Sequence, residues 1–96
     1  TEAAEDVQPA AIYAKRFKKQ KIFVERAYAL MELGYMREAI SQFRKAIKEE
    51  PNSHAVPVIL TEIAQIYNSL GEYDLAFHEL ERAEAIAELL RIPHIA

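Results

Sequence analysis

Apolar residues along this chain fall into stripes that return every three to four positions, with charged and polar residues filling the intervals. Ala10, Tyr13, Ala14 and Phe17 stand at i, i+3, i+4 and i+7, which predicts a helix over about Pro9 to Lys19. Pro9 suits its first turn, where the missing N–H would be unpaired anyway. A second stripe, Phe23, Ala27, Leu30 and Met31, has the same spacing but a different phase: extended backwards it reaches Gln20 and Arg16, not Phe17. The mismatch predicts a bend or break near Lys18 to Lys21. A third helix is expected over Glu38 to Glu49, burying Ala39, Ile40, Phe43, Ala46 and Ile47 and stopped by Pro51-Asn52. The fourth begins between Ser53 and Pro57, with Asn52 or Ser53 available as its cap, and runs to Leu70 with Leu60, Ile63, Ala64 and Tyr67 inward. The fifth covers about Tyr73 to Leu90. Leu75, Ala76, Leu80, Ala83 and Ala87 form its stripe, and Ile86, Leu89 and Leu90 lie beside it as a terminal apolar face. A stripe that wide calls for a further helix or a partner over it. The pattern predicts an all-α chain of about five helices.

Two of these helices end on the only glycines in the sequence, Gly34 and Gly71. A residue without Cβ enters φ > 0 at little cost, so both read as left-handed C-terminal caps. The residues after the two glycines also match. Gly34, Ala39, Phe43, Ala46 and Pro51 in the first unit correspond to Gly71, Ala76, Leu80 and Ala83 in the second, where Glu88 takes the proline's place. Ahead of the glycines, Phe23, Ala27 and Leu30 correspond to Leu60, Ala64 and Tyr67. The chain carries an internal repeat of two helices per unit.

This spacing resembles the tetratricopeptide repeat family over roughly Gln20 to Arg91. Arg26 departs from the leucine common before the small residue, whereas Ile63 respects it. The glycines stand 37 residues apart, against about 34 in the family; the surplus falls between Pro51 and Val58, as about one turn added to the start of the fourth helix. The resemblance implies antiparallel helix-turn-helix units stacked as a short right-handed α-solenoid. Alanines would let backbones approach, and large residues would fill the holes beside them. The implied organisation is an acidic disordered arm over 1–8 and a single domain over 9–96. Within the domain lie a capping helix over 9–19, repeats over 20–53 and 54–91, and a tail over 92–96.

Composition narrows the chemistry. With 96 residues the chain is one domain at most. The absence of cysteine excludes disulfides, thiolate zinc sites and a thiol nucleophile. No apolar run approaches the roughly 18 residues of a bilayer span, so no membrane insertion is expected and a cytoplasmic address is the default. The chain opens on Thr1 and stops in Ile92-Pro93-His94-Ile95-Ala96, as a piece of a longer protein would. His54, His78 and His94 lack the spacing of a metal site, and no Ser-His-Asp order, paired-carboxylate pocket or glycine-rich phosphate loop is visible. No enzymatic activity and no cofactor are expected. Charge is uneven: Val7 to Val24 holds five cations and no acid, whereas Pro57 to Ala96 holds seven carboxylates against two arginines. Such asymmetry points either to an attraction within the chain or to head-to-tail self-association.

The family resemblance further implies that the first helix of each unit lines a concave groove. Those residues would be Lys21, Val24, Glu25, Tyr28, Met31 and Glu32 from the first unit and Val58, Thr61, Glu62, Gln65, Asn68 and Ser69 from the second. An apolar and aromatic middle beside three carboxylates suits an amphipathic helix or extended peptide carrying basic residues; an ordinary solvated face has the same look. Family members that clamp a chaperone's C-terminal carboxylate use lysine and asparagine here, where this chain has Val24, Tyr28 and Glu62, so no such clamp is expected. The implied function is non-catalytic protein binding, through the groove or through homodimer formation on the terminal face. The rival use is nucleic-acid binding by Lys15-Arg16-Phe17-Lys18-Lys19-Gln20-Lys21. Tyr13 and Phe17, its only candidate stackers, fall on a stripe expected to pack inward, which favours a plain cationic helix face.

Overall fold

The structure, a computed structural model, describes residues 9–90, with side chains from residue 15 onward. The arm expected over 1–8, the tail over 92–96 and the inward stripe at Ala10, Tyr13 and Ala14 lie outside the described residues or side chains. Among the described residues all regular structure is α-helical: α1 (Pro9–Glu32), α2 (Met36–Glu49), α3 (Val56–Ser69) and α4 (Tyr73–Leu89).

There are four helices rather than five, because α1 runs unbroken through Lys18 to Lys21. No glycine or proline interrupts that stretch, and lysine and glutamine are good helix formers. The buried stripe of α1 does pass through Gln20, which is almost fully buried, and Ala27, which is completely so. Phe17, expected inward, is 47% exposed. The phase change thus marks where α1 leaves the core, not where the helix breaks.

Both hairpin turns are built alike. Gly34 has φ +87° and Gly71 φ +77°. The Gly34 N–H reaches Met31 O at 3.0 Å and the Tyr35 N–H reaches Leu30 O at 2.8 Å; the Gly71 N–H reaches Asn68 O at 3.0 Å and the Glu72 N–H reaches Tyr67 O at 2.9 Å. These are two Schellman caps, satisfying carbonyls that a helix end otherwise leaves unpaired. Each then passes directly into the next helix: Tyr35 O accepts from Ala39 N at 3.0 Å and Glu72 O from Ala76 N at 3.1 Å.

The core lies where the two hairpins meet. Ala27, Ala39, Phe43, Ala46, Val56, Leu60 and Ile63 are fully buried, with Ile59 and Ile66 nearly so. Alanines at 27, 39 and 46 bring the α1 and α2 backbones close, and Phe43 fills the space they leave, with the Tyr28 ring edge-on to it at 5.5 Å. In α4 only Ala76, Ala83 and Ala87 of the expected stripe are buried; Leu75 and Leu80 are 46% and 42% exposed on opposite flanks of it, since five residues turn a helix by about 140°.

The turn between the hairpins, 50–55, carries part of the surplus that was expected to lengthen the following helix, while Val56 and Pro57 enter the first turn of α3. Neither Asn52 nor Ser53 caps that helix, whose N-cap is Ala55. Ser53 Oγ donates to Gln20 Oε1 at 2.8 Å, while Gln20 Nε2 donates to Ala46 O at 3.0 Å and Glu50 O at 3.1 Å. One buried amide therefore closes the last turn of α2 and ties it to α1.

Candidate functional site

The residues expected to line a groove divide into two sets. On α1, Lys21, Glu25 and Glu32 are exposed, whereas Val24 and Met31 are half-buried against the core. Tyr28 is 40% exposed and so is the one large side chain of the apolar middle that faces outward. On α3, Val58, Gln65, Asn68 and Ser69 are exposed, and Thr61 and Glu62 are half-buried. Thr61 Oγ1 donates to Pro57 O at 2.9 Å and Ser69 Oγ to Ile66 O at 2.7 Å, so both hydroxyl protons are spent on their own helix. What remains for a ligand is a Tyr28–Glu62 centre flanked by Gln65, Asn68 and the carboxylates of Glu25 and Glu32.

Tyr28 and Glu62 come from different repeats and meet across the face. Burial pushes the Tyr28 phenol pKa up, and the Glu62 carboxylate, by its charge and as a hydrogen-bond acceptor, raises it further. The two groups form a partly exposed polar pair shared by both repeats. Such a pair accepts from a lysine, an arginine or a peptide N–H.

The two repeats are locked by a feature not anticipated from the sequence. Arg37 pairs with Glu72, and Arg44 Nη2 donates to Glu79 Oε1 at 2.7 Å and to Tyr67 Oη at 3.3 Å. Glu79 is buried and also accepts from Arg82 at 3.3 Å. Burial alone would lower the pKa of the Arg44 guanidinium, but the hydrogen bonds and charge of Glu79, together with Tyr67, outweigh it and raise the pKa overall. The signal was present: Arg37 and Arg44 share the seven-residue interval of Glu72 and Glu79, so the two pairs are two rungs between α2 and α4.

The terminal apolar face is also arranged differently from expectation. Ile86 packs on the core and Leu90 is half-buried, which leaves Leu89 alone at 81% exposure. The exposed apolar surface at this end instead comprises Tyr73, Phe77 and Leu80 on α4 and Val58 on α3. Between α3 and α4 it opens into a depression of about 370 Å³ lined by Pro57, Val58, Thr61, Leu80, Ala83, Glu84 and Ala87.

Of the basic run, Lys15, Arg16, Phe17, Lys18, Lys19 and Lys21 are all exposed, and within the described residues its one ion pair is Lys19 with Glu49 at 3.9 Å. No cluster of three potential metal ligands occurs among the described residues, and no described helix is long and apolar enough to cross a membrane.

Neither a search of curated proteins nor one of solved structures finds a match to this chain. A family model described as a tetratricopeptide repeat matches it twice, over residues 20–53 and 58–88. Each match takes in one helical hairpin, its Schellman glycine and its buried alanines, and the chain belongs to the tetratricopeptide repeat family.

Proposed function

We propose that this chain is a non-catalytic protein-interaction module that receives a peptide or helix of a partner protein on the face shared by α1 and α3. The observation that carries this reading is the Tyr28–Glu62 pair, where the two repeats contribute to one polar centre beside an exposed aromatic ring. Three carboxylates, Glu25, Glu32 and Glu62, set the sign of the ligand: a segment with lysine or arginine among aliphatic residues. No lysine or asparagine stands ready to grip a terminal carboxylate at Val24, Tyr28 or Glu62, so the partner is read along its length and not by its C-terminus.

Selection of peptides from a random displayed library tests this. Enriched sequences should carry basic residues, and their affinity should fall about tenfold or more in Glu62→Gln combined with Tyr28→Ser, since both groups lose charged or aromatic contacts. Enrichment of acidic sequences, or affinities unchanged in that variant, would contradict the groove assignment.

A further inference from the structure

We propose that copies of this chain associate head to tail, the basic N-terminal overhang of α1 in one copy seating on the open end of α3 and α4 in the next. The inference deepens the interaction-module reading: its tail surface adjoins the Tyr28–Glu62 centre through Val58, one turn before Glu62 on α3, while its head surface lies on the N-terminal overhang of α1.

The internal repeat shows what the open end lacks. Phe43 and Ala46 of the first repeat are fully buried, and the second repeat's hairpin lies over them. Their counterparts are Leu80, which is 42% exposed, and Ala83, which is buried at 7% exposure on the floor of the depression that Val58 and Leu80 border. The large-residue position of this surface is covered in the first repeat, at Phe43, and open in the second, at Leu80, so its natural occupant is a helix. Glu81, Glu84 and Glu88 follow one another at i, i+3 and i+7 along the exposed side of α4, giving this end an acidic margin. Two such ends facing each other would set carboxylates against carboxylates, which disfavours a symmetric dimer through this surface.

The same chain carries a complementary helix. Lys19 and Gln20 of α1 lie beside Glu49 and Glu50 at the end of α2, so residues 9–18 of α1 extend past their hairpin partner by about 15 Å at 1.5 Å per residue. In the described part of this overhang Lys15, Arg16 and Lys18 are exposed around Phe17, which is 47% exposed. The basic run does not reach α4 of its own chain: its ion pairing among the described residues ends at Glu49. An intermolecular contact satisfies both ends at once, covering Val58 and Leu80 with apolar atoms while the cations meet the glutamates. Because donor and acceptor surfaces differ, the contact is heterologous and propagates beyond a dimer.

Sedimentation of the full 96-residue chain over a wide concentration range, at low and high salt, decides the matter. Three variants accompany it. The head variant is Lys15→Glu, Arg16→Glu, Lys18→Glu; the tail variant is Val58→Glu, Leu80→Glu; the groove variant is Glu25→Gln, Glu62→Gln. All seven positions are exposed or half-buried, and helical circular dichroism confirms that each variant folds. The expected result is open-ended, salt-weakened association of the unaltered chain and of the groove variant. Head and tail variants alone should show dissociation constants raised at least about tenfold. Mixed, they should form a one-to-one complex that stops there, because the head variant keeps an intact tail and the tail variant an intact head. A chain that stays monomeric, a head variant that still dimerises, a mixture that does not combine, or assembly lost in the groove variant would each overturn the proposal. So would a monomer that instead binds a single-stranded oligonucleotide through Lys15, Arg16 and Lys18.

Discussion

Tyr28 and Gln20 show how single side chains on α1 serve opposite purposes. Tyr28 stays neutral because burial takes part of the phenolate's hydration away, and the charge of the neighbouring Glu62 carboxylate adds to that cost. An acid whose folded pKa lies above its unfolded value lends stability that is complete below the unfolded value. That stability is lost as the pH climbs through the folded one. Stability should therefore decline from about pH 10.0, the ordinary phenol value, and the decline should be shallower in Tyr28→Phe; urea titrations of both proteins at stepped alkaline pH would show parallel curves if the pairing is absent. Gln20 is structural. Replacing it with leucine leaves Ala46 O, Glu50 O and the Ser53 hydroxyl without their partner, at a cost of about 1–3 kcal/mol. A chevron or equilibrium unfolding curve that matches the unaltered protein would mean water replaces the amide freely.

At the scale of elements, the turns and the short buried stripes were legible in the sequence because each rests on a residue with no substitute. Gly34 and Gly71 occupy φ values that other residues reach only under strain, and Ala39, Ala46, Ala76 and Ala83 stand where any larger side chain would hold the helices apart. The continuity of α1 was not legible. Its change of phase at Phe17 looked like a break, but it reflects a helix that outruns its partner, and periodicity records only which side is covered. Leu75 and Leu80 misled for a related reason: five residues apart, they flank the buried Ala76, Ala83 and Ala87 on opposite sides and are only partly covered. Ser53 is not the N-cap of α3: its oxygen accepts from the Ala55 N–H at 3.3 Å just ahead of the helix, while its proton goes to Gln20 on another helix, a contact that no local rule anticipates.

For the molecule as a whole, the relation between repeats rests on Phe43, Leu60 and Ile63 below and on the two arginine–glutamate rungs above. The rungs should not be equivalent. Arg37 is exposed and Glu72 half-buried at the surface, and Arg37→Ala should cost less than about 1 kcal/mol. Arg44→Ala removes a charged hydrogen bond from the buried Glu79, leaving it to Arg82, and should cost about 1.5–3 kcal/mol. Equal losses in paired unfolding experiments would mean that Glu79 is reached by water once Arg44 is gone. Under the proposed function the register of the repeats matters, because Tyr28 and Glu62 come together only while α1 and α3 keep their relative position. That Tyr28 and Glu62 lie near each other on one face was readable from the family resemblance, but the retreat of Val24 and Met31 from that face was not. Val24 and Met31 turn toward the core, a choice settled by packing against α2 and α3.

The claim that this face binds a partner is tested most directly by titrating an isotopically labelled chain with a selected basic peptide and following its amide resonances. The account predicts that the changes concentrate at Glu25, Tyr28, Glu62, Gln65 and Asn68, spanning both repeats. Changes confined to α4, or to Lys15 through Lys21, would contradict it.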